Sequence, residues 1–305
     1  MVRKFPLVLA LLFAFTAPAG ADFAAGKAAY ARGDYKTAFR ELKTEANRGK
    51  VGAQAVLGAM YAKGRGVTRN YAEAVKWSRK AAEQGDASAQ AALGAMYAKG
   101  QGVARNDAEA VKWTRKAAEQ GDAGAQAALG AMYANGRGVT RNDAEAVKWY
   151  RRAAEQGYVF AQNGLGFMYD RGRGVARNAA EAVKWYRKAA EHGFAVAQAT
   201  LGALYGAGRG VTRNYAEAVK WTREAASQGN AAAQNNLGVM YVTGQGVTQD
   251  YVCAYMWLSL AAAQGTSATA KIMVDLEQHM TPTDRSRAQE LATAWTPGGK
   301  ACRPR

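Results

Sequence analysis

Apolar and small residues recur along this chain at helical spacing. In residues 51–63, Ala53, Val56, Leu57, Met60 and Tyr61 fall at i, i+3, i+4, i+7 and i+8, one face of a 3.6-residue helix. The stretch from Lys63 to Arg69 interrupts the pattern with Gly64 and Gly66, whose tolerance of positive φ suits the end of a helix. A second stripe follows in Ala74, Val75, Ser78, Ala81 and Ala82, and Gly85 ends it. Asn70 stands where a side chain accepts from the free N–H groups of a first turn, and Glu73 has the spacing to reach back to that cap. The pair returns as Asn106/Glu109, Asn142/Glu145, Asn178/Glu181 and Asn214/Glu217. The predicted unit is a helix–loop–helix hairpin.

The hairpin repeats at a fixed step. Leu57/Gly58, Leu93/Gly94, Leu129/Gly130, Leu165/Gly166, Leu201/Gly202 and Leu237/Gly238 are each 36 residues apart, and Trp77, Trp113, Trp149, Trp185, Trp221 and Trp257 keep the same interval. A period of that size predicts stacked supersecondary units, an all-α solenoid. The glycine after each leucine sits mid-helix, where it costs about 1 kcal/mol relative to Ala. Close approach of a neighbouring helix is the gain expected in return.

The pattern A-x-x-x-LG-x-M/L-Y-x-x-G-x-GV, then A-x-x-W and AA-x-x-G, resembles the Sel1-like repeat family, and the chain reads as its exported bacterial type. It covers residues 51–86, 87–122, 123–158, 159–194, 195–230 and 231–266. One departure is that the usual Asp after the GV loop is Asn in five units and Asp only at Asp250. The resemblance implies a right-handed α/α solenoid related to tetratricopeptide repeats. It also implies that partners bind a concave face lined by the first helices. Envelope roles follow from it, such as holding a signalling receptor, a polysaccharide-export complex or a wall-remodelling enzyme. Some relatives have been assigned hydrolysis of wall fragments; no residue here carries that chemistry.

The flanks differ from the repeats. Residues 1–21 read as an export signal: Arg3 and Lys4, an apolar run from Phe5 to Phe15, and the small residues Ala19, Gly20 and Ala21. That run is too short to span a bilayer. The mature protein is expected to start near Asp22, in the periplasm or secreted, with no transmembrane segment. Residues 22–50 look like a degenerate first unit acting as a cap. Residues 267–296 form a helical C-terminal cap, with Thr281 as N-cap and Pro282 at the first helical position. Residues 297–305 form a basic tail. No linker-like stretch divides the mature chain.

The net charge is +17, or +15 without Arg3 and Lys4. Second-helix triplets such as Lys76/Arg79/Lys80 lie within reach of Glu73 and Glu83 and read as a solvated face. Loop arginines stack as Arg65, Arg69, Arg105, Arg137, Arg141, Arg173, Arg177, Arg209 and Arg213, and they lack adjacent acids. They serve either solubility or a positive edge for an anionic cell-wall or capsular glycan. For an exported protein this charge does not imply nucleic acid. Cys253 and Cys302 either bridge in an oxidising compartment or remain as thiols.

Little chemistry is on offer. His192 and His279 are the only histidines, and no nucleophile, phosphate-loop or zinc spacing is present. The recurring glutamates read as helix caps. Neither an enzyme nor a cofactor or metal site is expected. Binding should reside where units differ. Tyr158 and Phe194 replace the Asp86/Asp122 position, Phe160 replaces Ser88, Phe167 replaces Ala95, Asp170 replaces Ala98, and Tyr150 and Tyr186 replace Ser78 and Thr114. These aromatics either form a patch for an unidentified envelope protein or fill gaps between units.

Overall fold

A computed structural model describes residues 22–265, 269–299 and Cys302. The expected export signal and most of the expected basic tail lie outside the described residues. Sixteen helices and no strand are present among the described residues. None of these helices is long and apolar enough to cross a membrane. The helices gather into two compact units, one ending at Arg105 and the other beginning at Asn106. The division falls in a loop, Gly100 to Arg105, whose composition matches the others.

The first unit holds α1 (Phe23–Ala31), α2 (Tyr35–Asn47), α3 (Val51–Lys63), α4 (Tyr71–Glu83) and α5 (Ala87–Lys99). The second holds α6 (Asp107–Glu119), α7 (Ala123–Asn135), α8 (Asp143–Glu155), α9 (Val159–Arg171), α10 (Ala179–Glu191), α11 (Ala195–Ala207), α12 (Tyr215–Ser227), α13 (Ala231–Thr243), α14 (Tyr251–Ala263), α15 (Thr269–Glu277) and α16 (Pro282–Ala294). Within each unit the hairpins stack, as the period requires. Leu57, Leu93, Leu129, Leu165, Leu201 and Leu237 are fully buried.

Two loop glycines do different work. Gly64 closes α3 in the left-handed region at φ 67°, where a Cβ is disfavoured. Gly66 is held by contact as well: a Cβ there would strike the Tyr35 carbonyl at the start of α2. The mid-helix glycines behave as expected, since a Cβ on Gly166 or Gly238 would press on Tyr186 or Leu258 of the following helix.

Three hydrogen-bond devices recur along the chain. Buried Gln54 donates Nε2 to the Ala46 carbonyl at 3.1 Å, while Gln84 Nε2 donates to Gln54 Oε1 at 2.7 Å. Gln126/Gln156, Gln198/Gln228 and Gln234/Gln264 repeat the second bond. Gln162 breaks the series: its Oε1 has no donor, because His192 stands where the other units carry Gln. Arginines reach forward 18 residues to a tyrosine hydroxyl, as in Arg79–Tyr97 at 2.7 Å and Arg151–Tyr169 at 2.9 Å.

The third device corrects the capping expectation. Asn70 Oδ1 does accept from the Glu73 N–H at 3.1 Å, but the Glu73 carboxylate turns forward and accepts from the Trp77 indole at 3.0 Å. Glu109–Trp113, Glu145–Trp149 and Glu217–Trp221 repeat it. The reason is that the Asn70 N–H is already engaged by the Tyr61 carbonyl at 3.0 Å, leaving nothing for a reciprocal cap. The basic triplet is absorbed in the same region. Lys76 pairs with Glu73 at 3.2 Å, Lys80 lies 4.8 Å over the Trp77 ring, and Arg79 holds Tyr97.

At the far end α16 packs on α14, with Trp257 and Trp295 edge to face at 6.1 Å. Thr281 caps α16 by accepting from the Asp284 N–H at 3.1 Å. Cys253 and Cys302 form a disulfide with Cα atoms 5.5 Å apart, which resolves the two alternatives left by the sequence.

Candidate functional site

The departures from the repeat converge in the second unit, on α8 to α11. Tyr158, Phe160 and Phe194 form one aromatic cluster. The Phe160 ring centroid lies 5.8 Å from that of Tyr158 and 5.0 Å from that of Phe194. Phe160 is 59% exposed. Phe167 follows seven residues later on the same face of α9, is 39% exposed, and carries the guanidinium groups of Arg171 and Arg173 at 5.8 Å each. Val196 occupies on α11 the repeat position of Phe160 and is 48% exposed. Among the described residues, three of the four exposed large apolar side chains therefore sit on α9 and α11; the fourth, Val274, is on α15.

Local structure shows what this cluster displaces. Asp86, Asp122 and Asn230 cap their helices through the side chain. Tyr158 and Phe194 hold the same position before α9 and α11 and make no side-chain cap. Losing such a cap costs about 1 kcal/mol.

The other two aromatic replacements turn inward. Tyr186 is buried, and Tyr150 is half-buried against Gly130 and Gly164. Burial pushes both phenols above their ordinary pKa. The two expectations for the aromatics thus divide: Tyr150 and Tyr186 fill gaps, and Phe160 and Phe167 face solvent. Beside Phe167 opens a cavity of about 280 Å³, lined among others by Tyr150, Tyr186, Asn163, Arg173, Val196 and Thr200.

Asp170 does not join this surface. It is 6% exposed, and its carboxylate accepts from Arg209 at 3.0 Å. The arginine loops also differ from their sequence reading, because acids reach them, from two residues on for Arg141 and from 30 residues before for Arg137 and Arg173. Arg137 pairs with Asp107 at 3.0 Å, and Asp143 is shared by Arg141 and Arg173, both at 2.7 Å. Each Asp comes from the first turn of an earlier second helix, 30 residues before Arg137 and Arg173. The two guanidiniums hold the Asp143 carboxyl far below the usual carboxylate range, Arg173 contributing most. Arg65 donates to the Tyr30 hydroxyl at 2.9 Å, and Arg177 to the Asp170 carbonyl at 3.1 Å. Arg69, Arg105 and Arg213 are exposed.

Comparison with known proteins fits this architecture. The profile of the family described as Sel1 repeat matches residues 51–86, 87–122, 123–158, 159–194, 195–230 and 231–266. The chain belongs to the Sel1 repeat family. A Sel1 repeat protein from Oxalobacter formigenes is similar in structure, with 38% identity and a TM-score of 0.73 over 80% of this chain and 97% of that one. A second similar structure is c5321 of uropathogenic Escherichia coli, described as a protective antigen displaying an SLR fold. It has 28% identity and a TM-score of 0.52 over 90% of this chain and 83% of that one. No curated protein matches the chain.

Val196, Asn163 and Thr200 were not singled out from the sequence. The signal was available: the Sel1 repeat carries Ala or another small residue at most equivalent positions, such as Ser88, Ala91 and Ala92.

Proposed function

We propose that this Sel1 repeat protein is an exported, non-enzymatic scaffold that holds another protein of the cell envelope against α9 and α11. The observation that carries this reading is the concentration of exposed apolar side chains, Phe160, Phe167 and Val196, on those two adjacent first helices. Side chains of this kind anchor interfaces, and clusters of them on a soluble surface mark contact sites. The loss of two helix caps at Tyr158 and Phe194 supports it, because local stability is given up where the aromatics gather. The basic, apolar and small-residue order of residues 1–21 supports export.

A positive edge that binds an acidic polysaccharide is the second reading. The pairing of Arg137, Arg141, Arg173 and Arg209 with aspartates favours the scaffold over it.

The test is capture from envelope extract with residues 22–305 at low and high salt. The scaffold reading expects a protein retained at high salt and lost on Phe160→Ala/Phe167→Ala. Retention of polysaccharide alone, released by salt, would replace it with the arginine edge.

A further inference from the structure

The hairpin of α1 and α2 departs from the repeat in how it places charge. Along α2, Lys36, Arg40, Lys43 and Asn47 fall at i, i+4, i+7 and i+11, all exposed and opposite the buried Ala38, Leu42 and Ala46. Lys36 stands where the repeats carry Ala72, Ala108, Ala144, Ala180 and Ala216. Thr37 and Asn47 stand where α4 has Glu73 and Glu83. In the repeats the first of those acids pairs with a lysine three residues on, as in Glu73–Lys76 and Glu109–Lys112. Just past α2, Lys50 reverses the charge found at Asp86 and Asp122. One cation is lost in exchange, Lys80 to Thr44.

The two acids that α2 gains do not balance its outer face. Glu41 and Glu45 are half-buried and held by Arg40 at 3.1 Å and Arg48 at 2.6 Å. Lys27, Lys36, Lys43 and Lys50 are exposed and have no carboxylate partner among the described residues. A face of mixed sign would keep a capping hairpin soluble, so solubility does not account for one of a single sign.

The form of the charge points to its counterpart. Lysines are flexible point charges, and Lys36 and Lys43 lie about 10 Å apart along α2, too far to converge on one small anion. Half-buried aromatic rings sit among them. Lys27 and Lys50 lie 5.5 and 5.4 Å from the Phe23 ring centroid, and Lys43 lies 5.6 Å from that of Phe39. Dispersed ammonium groups with phenyl rings at their base match a fluid layer of lipid phosphates, where each charge finds its own partner. A glycan carboxylate is better met by paired arginine donors, and here Arg40 and Arg48 are committed to Glu41 and Glu45. We propose that this hairpin binds an anionic phospholipid surface through Lys36 and Lys43 on α2 and the Lys27/Lys50 pair at Phe23. The protein then lies on a membrane that none of its described helices crosses. The proposal is independent of the partner site on α9 and α11.

The test is co-sedimentation of residues 22–305 with vesicles of phosphatidylcholine, alone or with about one-third phosphatidylglycerol. Binding is expected only with phosphatidylglycerol, and high salt should release it. Each lysine near such a surface contributes up to roughly fivefold, so changing Lys27, Lys36, Lys43 and Lys50 to Gln should weaken binding at least about tenfold. The melting temperature should stay unchanged, because none of the four is ion-paired. Changing Lys112, Lys148, Lys184 and Lys220 to Gln removes the same charge elsewhere and should leave binding nearly intact. Equal loss in both variants would overturn the assignment to the hairpin, since net charge alone would then be at work. Equal binding to phosphatidylcholine alone would overturn the electrostatic reading. Absence of binding to either vesicle would overturn the lipid surface, and salt-sensitive capture of polygalacturonate in its place would assign the lysines to an acidic glycan.

Discussion

Tyr150 occupies the space that Gly164 leaves open: a Cβ on Gly164 would lie 3.0 Å from Cε1 of the Tyr150 ring. Units with a smaller residue in place of Tyr150, such as Ser78 and Thr114, carry Ala92 and Ala128 where this one has Gly164. The two departures compensate each other. Gly164→Ala should gain up to about 1 kcal/mol of helix propensity and lose about 1–3 kcal/mol to overpacking, a net loss. With Tyr150→Thr the same substitution should stabilise. Thermal melts of the four proteins in this cycle give the coupling directly, and additive effects would show that the two residues are independent.

The Glu–Trp bond makes a separate prediction. Trp149 is buried, with its indole on Glu145 Oε2 at 3.1 Å. Glu145→Ala leaves the indole without its acceptor and should cost roughly 1–2 kcal/mol, whereas Glu145→Gln keeps an acceptor and should cost less than half of that. Melts followed by tryptophan fluorescence test this, and equal losses for the two variants would mean that the indole bond contributes nothing.

Asp143 supplies a pH dependence. Its folded pKa lies well below the ordinary carboxylate value because Arg173 and Arg141 hold the ionised form. The unfolded chain therefore takes up the proton first as pH falls. The stabilisation is complete above the unfolded pKa, near 4, and is lost progressively as pH drops below it. Asp143→Asn should melt lower than the parent at pH 7, by under about 1 kcal/mol for a pair this exposed. The difference should shrink steadily below pH 4. A gap unchanged down to pH 2 would mean that the ion pairs contribute nothing to stability.

Cys253 and Cys302 are separated by 49 residues, so their disulfide closes a loop holding α15 and α16. Reduction, or Cys302→Ser, should cost about 2–4 kcal/mol. The loss should appear as faster hydrogen exchange in residues 269–299, with the repeats before α14 unchanged. A uniform change along the chain would place the effect elsewhere.

Much of the architecture was legible in sequence because a repeat states each physical requirement several times over. Leu-Gly pairs, Gly-terminated first helices and Asn-capped second helices each recur at one step of 36. What the sequence concealed lies between repeats. Glu73 reads as half of a capping box until the Tyr61 carbonyl is seen to hold the Asn70 N–H. Loop arginines read as unopposed because Asp107 and Asp143 lie 30 residues before the partners Arg137 and Arg173. The candidate site was half visible. Phe160 and Phe167 stand out as large residues at small positions, while Val196 and Asn163 are modest changes that matter only once α9 and α11 lie side by side.

The central claim is that the partner sits on α9 and α11, and photocrosslinking in the living cell tests it most directly. Benzoylphenylalanine is placed singly at 160, 167 and 196, and at the repeat-equivalent controls Ser88 and Ala95. The account predicts one shared protein adduct from the first three positions and none from the controls. Adducts of equal yield from Ser88 and Ala95, or none from 160 and 167, would contradict it.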